Sequence, residues 1–548
     1  MNERKKRPDI IRQSGPKAAS EWLFILPEFV LLAYFSRIMG VRGMSFFGLP
    51  ALIYMIMNLF GKRGILVSVR DSVRLYKARD DYSGGLRHYR IVTWFFTILH
   101  LIVTAIVAIF SKKISILIFG TAIGSYIIIG MMVIYLFRQI VLCIQGFLEG
   151  MGVTAASLVT DVVTVLLSLA AAFILAPRFS SYASSISALM RDDNWYYALM
   201  AFWAVVSVFA GHVIGFIVMI VLYLGMRKRL DNIFSGGGKR KKIPAFSIIS
   251  SVYENGFING GVRALSSVIL IIAFVVCRPG EEAEGLITIN PEYPGLVFLS
   301  FFMMAGPVLL LASQIGDSVS KQAAREKKRM DMPGMREGIA LGFKIFTYFT
   351  FAYLTALMTM STSVSKLMFD IEQPLFSRFM VTGIWQVIVF GFVIIMSDVM
   401  NRVSGKLMPV VMIVFSLLAE VVMLVLAKGA KQPPKETYIF IILLVSSLAA
   451  FIPGALYFYK KLRYKNDLLR IFVLTFVSSV LMGLLAYIFQ RFVYDFGGCV
   501  AVLLLGSIFG GIAYVTSILM THTFDMHEWR QVPINGLAKA ISRWLKIY

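Results

Sequence analysis

A few ionisable side chains stand inside runs that are otherwise apolar: Glu28, Arg37, His100, Asp161, His212, Arg263, Lys344 and Glu420. Within lipid such groups are expensive, so they usually face one another or a water-filled interior. Arg263 lies too deep in its run to snorkel easily to the surface. Glu254, Asn255, Asn259 and Arg263 follow helical spacing and would share one polar face. That face offers two readings: Arg263 and Asn259 recognise an anionic substrate, or they make a contact within the helix or across to a second lobe. Asp161 reads either as a coupling-ion ligand or as the counter-ion of such an arginine. Glu28 and Glu420 are further candidates for a coupling cation or a counter-ion, and no motif surrounds either. His100 and His212 read as satisfied core histidines ahead of proton relays. Lys344, in the first turns of its run, reads as snorkelling inward.

No catalytic or nucleotide motif accompanies these residues. The GGGKRKK stretch lacks the upstream glycine and the preceding strand of a phosphate-binding loop. H-E-x-x-H, C-x-x-C and G-x-S-x-G are absent. Cys143, Cys277 and Cys499 are isolated in apolar surroundings and read as packing residues. His522, Asp525 and His527 have a loose metal-like spacing but read as residues of an exit loop. The expectation is a protein that is not an enzyme, with no cofactor and no metal. A membrane-embedded glycosyltransferase would want long extramembrane loops with carboxylate motifs, and the loops here are short.

The elements that must position these groups are set by composition. Hydrophobic residues make up 58% of the 548 residues and charged ones 15%, with a mean hydropathy of +0.77. Such a chain is mostly embedded in a membrane. Its formal charge of +24 is dispersed between apolar runs, which points to cytoplasmic loops beside anionic lipid and away from nucleic acid. The basic N-terminus and the run after it resemble a signal peptide, but no small-residue cleavage site follows, so the run reads as a retained first span.

Taken in order, the candidate spans are 22–41, 46–60, 91–110, 115–137, 153–176, 197–225, 247–277, 294–312, 339–360, 377–396, 407–427, 437–459, 468–489 and 496–521. The fold class is therefore all-α, a polytopic membrane protein of about 14 transmembrane helices. With both termini inside, the segments assigned to the cytoplasm hold about three times the Lys and Arg of those assigned outside, as positive-inside orientation requires. Residues 226–244, MRKRLDNIFSGGGKRKKIP, read as a basic, glycine-rich cytoplasmic linker. This gives an N-terminal lobe at 1–226 (spans 1–6), the linker at 227–245, a C-terminal lobe at 246–466 (spans 7–12), and 467–548 as two extra helices and a tail. In that tail Leu537, Ile541, Trp544 and Leu545 fall on one face, the pattern of an amphipathic helix on the inner leaflet. The acidic segment 278–294 reads as an external loop.

An internal repeat relates the halves. Asp71-Ser72-Val73 after span 2 and Asp317-Ser318-Val319 after span 8 each precede a basic helix-like stretch and a glycine-containing turn. A six-plus-six duplication places both halves in one orientation, facing each other across an axis along the membrane normal.

Three segments carry a family resemblance: SRIMGVRGMSFFGLPALIYMIMNLFGKRGILVSVRDSVRLYKARDDYSGGLRHYR, QIVLCIQGFLEGMGVTAASLVTD and the tail HEWRQVPINGLAKAISRWL. They resemble polysaccharide-type flippases of the multidrug/oligosaccharidyl-lipid/polysaccharide (MOP) exporter superfamily, nearest the stage V sporulation protein B-like and lipid II flippase-like branch. The resemblance implies a two-lobed, fourteen-helix transporter in the cytoplasmic membrane that moves a lipid-linked glycan precursor by alternating access. Arg37 and Arg42, toward the external end of span 1, read by position as snorkelling to lipid head groups, whereas the resemblance implies that they line the cavity wall, where a guanidinium matches a pyrophosphate bidentately. The implied partners are that glycan, membrane lipids and glycan-synthesis proteins. The alternative within the same fold is a cation-coupled exporter of amphipathic drugs, whose cavity needs acidic residues such as Asp161 or Glu420.

Overall fold

The computed structural model describes residues 10–234, 244–276, 292–429, 437–464 and 469–529. Among them all regular structure is helical, and 13 helical segments are long and apolar enough to cross a membrane. The first of these is two spans in one. The helix α1 (Ile10–Phe60) would reach about 75 Å if straight, more than twice the ~30 Å of a hydrocarbon core. Gly40 breaks it with a left-handed φ of 68°, a conformation that costs glycine little. The rings of Phe35 and Phe47 lie only 5.5 Å apart across the break, so the chain doubles back on itself. With that turn counted, the described residues provide the fourteen spans expected.

The chain divides into two compact units, Ser20–Leu299 and Ser300–Tyr548 with Met1–Ala19. The first unit holds most of α1, a π-turn at Gly61–Leu66, α2 (Val67–Lys77), α3 (Tyr82–Phe119), α4 (Ser125–Met151), α5 (Ala155–Met190) and α6 (Asn194–Phe234). It also contains α7 (Ala245–Asn255), a second π-turn at Gly256–Gly260, α8 (Gly261–Val276) and the first turns of α9 (Tyr293–Lys328). Val69, Val73, Val92, Phe96, Phe147, Leu148 and Val252, all buried, join α2, α3, α4 and α7 in one core. The second unit holds the rest of α9, then α10 (Met332–Thr359), α11 (Ser361–Phe369), α12 (Pro374–Val403), α13 (Leu407–Gly429) and α14 (Tyr438–Lys461). It ends with α15 (Leu474–Met520), split by Gly498 at φ 63°, ψ −170°, and the short α16 (Met526–Trp529).

One boundary departs from the sequence reading. The turn between the third and fourth spans is at Gly120–Gly124, inside the segment assigned to span 4, and α4 runs on to Met151. Lys112 and Lys113 looked like a loop, yet they lie within α3. The apolar run continues past them to Gly120, whose φ of 76° ends the helix.

The repeat is present in each unit, in a different register from the sequence match. Asp81 caps α3 by accepting from the Gly84 N–H at 3.0 Å, and Asp331 caps α10 from the Gly334 N–H at 2.8 Å. The residue before each cap, Asp80 or Met330, has positive φ. Lys77 donates to the Met151 carbonyl at the end of α4, and Lys327 to the Val403 carbonyl at the end of α12. Lys77 therefore corresponds to Lys327 and Asp81 to Asp331, which puts Lys321, not Asp317, opposite Asp71. The shared Asp-Ser-Val triplet lies four residues out of step with the architecture. The linker glycines, Cys277, the acidic segment apart from its last residues, and the tail after Trp529 lie outside the described residues.

Candidate functional site

A buried polar network lies in the first unit, where α1, α4 and α5 come together. Arg138 on α4, 6% exposed, donates from Nη1 to Asp161 Oδ1 on α5 at 2.6 Å and from Nε to Asn58 Oδ1 on α1 at 3.2 Å. Gln145, two turns further along α4, donates to the same Asp161 oxygen at 3.0 Å. Glu28, and Lys62 in the first π-turn, are in electrostatic reach of this pair. The arrangement satisfies a guanidinium and a carboxylate that neither lipid nor an apolar core would tolerate alone. Asp161 is ion-paired with Arg138. Sequence reading missed it because span 4 was ended at 137, which made Arg138 look like a loop residue. The apolar stretch IVLCI immediately after Gln139 was the signal that the helix continues.

A second pair borders the network. His212 Nδ1 lies 2.9 Å from the Val208 carbonyl and Nε2 lies 2.7 Å from the Tyr54 hydroxyl. A carbonyl only accepts, so Nδ1 carries a hydrogen, and Nε2 and the Tyr54 hydroxyl share the second hydrogen bond. His100 Nε2 donates to the Met132 carbonyl at 2.9 Å, and its ring stands edge-on to Tyr135. Both histidines are satisfied within the core.

Arg263 is buried at 3% exposure on α8 and donates from Nη1 to the Asn259 carbonyl at 2.8 Å. A π-turn at Gly256–Gly260 widens the helix between Asn255 and Arg263. This turn packs on the first one backbone to backbone. A Cβ at Gly64 would sit 2.8 Å from the Gly256 Cα, and one at Gly256 would sit 2.7 Å from the Phe60 ring. Two interrupted helices thus meet at glycines, close to Lys62 and within a turn or two of Arg263.

Arg42 is placed elsewhere in the same unit. Its Nη2 donates to Asn194 Oδ1 at 2.8 Å, and its guanidinium lies 4.9 Å from the centre of the Tyr197 ring at the start of α6. Arg37, one turn before the Gly40 break, is exposed. The described contacts join neither arginine to Arg138 or Arg263.

In the second unit Glu420 on α13 is 1% exposed and its Oε1 has no partner among the described residues. The hydroxyls of Ser416, one turn away, and of Ser446 on α14 are buried and likewise unpartnered. Lys344 does not snorkel. Glu528 grips its Nζ with both carboxylate oxygens at 3.0 and 2.9 Å, under a cluster of Tyr348, Phe524 and Trp529. The described residues contain no group of His, Cys, Asp and Glu suited to a metal ion.

No protein-family model and no curated protein matches this chain. Solved structures do. One titled "Lipid II flippase MurJ, inward closed conformation" aligns with a TM-score of 0.62 at 13% identity, over 92% of this chain and 98% of that one. A MOP-superfamily transporter from Pyrococcus furiosus, whose title describes a reversed polarity of its binding pocket, aligns at 0.56 and 14% identity over 83% and 96%. An inward-facing multidrug resistance MATE family transporter aligns at 0.54 and 13% identity over 80% and 97%. The resemblance carried by the sequence segments thus holds over nearly the whole chain, and this multi-pass protein has the fold of the MOP-superfamily transporters.

Proposed function

We propose that the protein is a flippase, which carries a lipid-linked oligosaccharide or polysaccharide precursor across the cytoplasmic membrane by alternating access. The observation that carries this reading is the neutralisation of Asp161 by Arg138. A drug exporter of this fold would need an unpaired acidic group to attract a cationic substrate, and Asp161 is spent on its own arginine. The cationic groups Arg37, Arg42, Arg263 and Lys62 then favour an anionic head group, with a pyrophosphate accepted by guanidinium forks at Arg263 and, after rearrangement, Arg42. Asn259 is the polar neighbour that accompanies Arg263. Glu420, buried with Oε1 unpartnered among the described residues, and Glu28, exposed and in electrostatic reach of Arg138 and Lys62, are the proposed sites for a coupling ion. The function is transport, not catalysis, and the partners are membrane lipids, the glycan carrier and the proteins that synthesise it. Both termini and the 226–244 linker are cytoplasmic in this reading.

The exporter remains the second reading, because Oε1 of the buried Glu420 has no partner among the described residues. Proteoliposomes loaded in parallel with a fluorescent polyprenyl-pyrophosphate glycan and with a cationic dye distinguish the two. Glycan translocation that is lost in Arg263→Ala and reduced in Arg263→Lys is the expected result. Efflux of the dye without movement of the glycan sinks the flippase reading.

A further inference from the structure

The helices α5 and α6 are the longest antiparallel pair in the first unit, and both exceed the ~20 residues that a membrane crossing needs. Their shared end therefore projects past the hydrocarbon, at the opposite end of the unit from the basic linker. There α5 turns from apolar to serine-rich, and a cleft of about 580 Å³ opens, lined by Ser184, Ser187, Arg191, Asp193, Tyr196 and Tyr197. The Ser184 hydroxyl hydrogen is committed to the Ser180 carbonyl at 2.9 Å and that of Ser187 to the Asp192 carbonyl at 3.3 Å. Both oxygens thus present acceptor lone pairs to the cleft, while Arg191 supplies donors and Asp193 further acceptors. The two tyrosine rings stand edge to face at 5.4 Å, and Tyr197 is stacked by Arg42, itself tied to Asn194.

One cation and one anion leave the cleft without net charge, which gives it no preference for a phosphate. Interleaved donors and acceptors beside flat, half-buried aromatic faces suit a polyhydroxylated ring, whose hydroxyls both give and accept hydrogen bonds and whose C–H face packs on an aromatic ring. We propose that this cleft is a carbohydrate subsite, which holds the uncharged sugar portion of the substrate at the external end of the α5–α6 pair. The proposal rests on the flippase reading for its direction, since the sugar must arrive there as the head group crosses. Arg42 then serves the site from behind, by fixing Tyr197.

Saturation-transfer NMR on the protein in lipid nanodiscs tests this, with N-acetyl-chitotriose and a panel of other free neutral oligosaccharides as probes. The expected result is binding of at least one of them, weakened about tenfold or more in Tyr196→Ala and in Asp193→Ala and largely kept in Tyr196→Phe. No binding by the wild-type protein, or equal binding by the alanine variants, overturns the subsite. Translocation of the lipid-linked glycan is measured on the same preparations. Translocation without cleft-dependent sugar binding refutes the subsite and leaves the flippase standing. Cleft-dependent binding without translocation refutes the flippase and leaves a carbohydrate site.

Discussion

A guanidinium and a carboxylate 2.6 Å apart, with Asn58 and Gln145 completing their hydrogen bonds, form a unit whose members depend on one another. Removing one partner strands the other where water is scarce, at a cost of roughly 3–5 kcal/mol, whereas removing both costs much less. Asp161→Asn and Arg138→Gln should each lower membrane abundance and melting temperature, and the double variant should recover a large part of both. If Asp161 instead binds a coupling ion, the double variant folds and fails to transport under any imposed ion gradient. Measuring abundance and translocation together separates these outcomes. Arg263, whose Nη1 donates to the Asn259 carbonyl, is tested by Arg263→Lys, which keeps the charge and loses the planar fork, so transport should fall while the protein stays folded. Equal transport by the lysine variant removes Arg263 from substrate recognition.

At the scale of elements, the junction of the two π-turns controls how closely α1 and α7 approach. Gly64→Ala places a methyl group against the Gly256 backbone, where no flexible side chain can give way. The turns must then separate, and we expect a destabilisation of about 1–3 kcal/mol with altered transport even though no ligand-binding atom is touched. An unchanged melting temperature would show that the junction is loose. The repeated caps make a milder prediction. Asp81→Ala and Asp331→Ala each remove one helix-capping hydrogen bond and should each cost about 1 kcal/mol, with equal losses marking equivalent places in the two units. Such details were partly legible in advance. Apolar run length and charge bias gave the helices and their count, because burial in lipid demands long apolar segments and leaves little freedom. The π-turns were not legible, since GFING and GKRGIL satisfy a regular helix equally well and only packing at the glycines selects the wider turn. The same limit explains the site. Asp161 was visible as a charge in an apolar run, but its partner depended on where α4 ends. The repeat was visible too, yet its register was misplaced because three matching letters weigh less than a matched turn, cap and lysine.

For the whole molecule, the fold is compatible with either direction of insertion, and charge asymmetry decides between them. The Lys and Arg of the 226–244 linker and of the stretches after Gly61 and Gly316 all fall on one side when about fourteen spans alternate. The tip of the α5–α6 hairpin, where Leu189 is 80% exposed, then belongs to the opposite side together with the acidic segment 278–294. Single cysteines test this in a background without Cys143, Cys277 and Cys499. Leu189→Cys and Gly285→Cys should react with a membrane-impermeant maleimide on intact cells. Gly238→Cys should react only after the membrane is permeabilised. The Gly40 turn makes the test stringent, because reading α1 as one span would reverse every later segment relative to the N-terminus. A cysteine at position 5 should therefore be protected together with Gly238→Cys. Labelling of position 238 from outside would overturn the orientation and, with it, the placing of the carbohydrate cleft on the external side. Protection of position 238 with labelling of position 5 would show that the chain does not cross twice around Gly40.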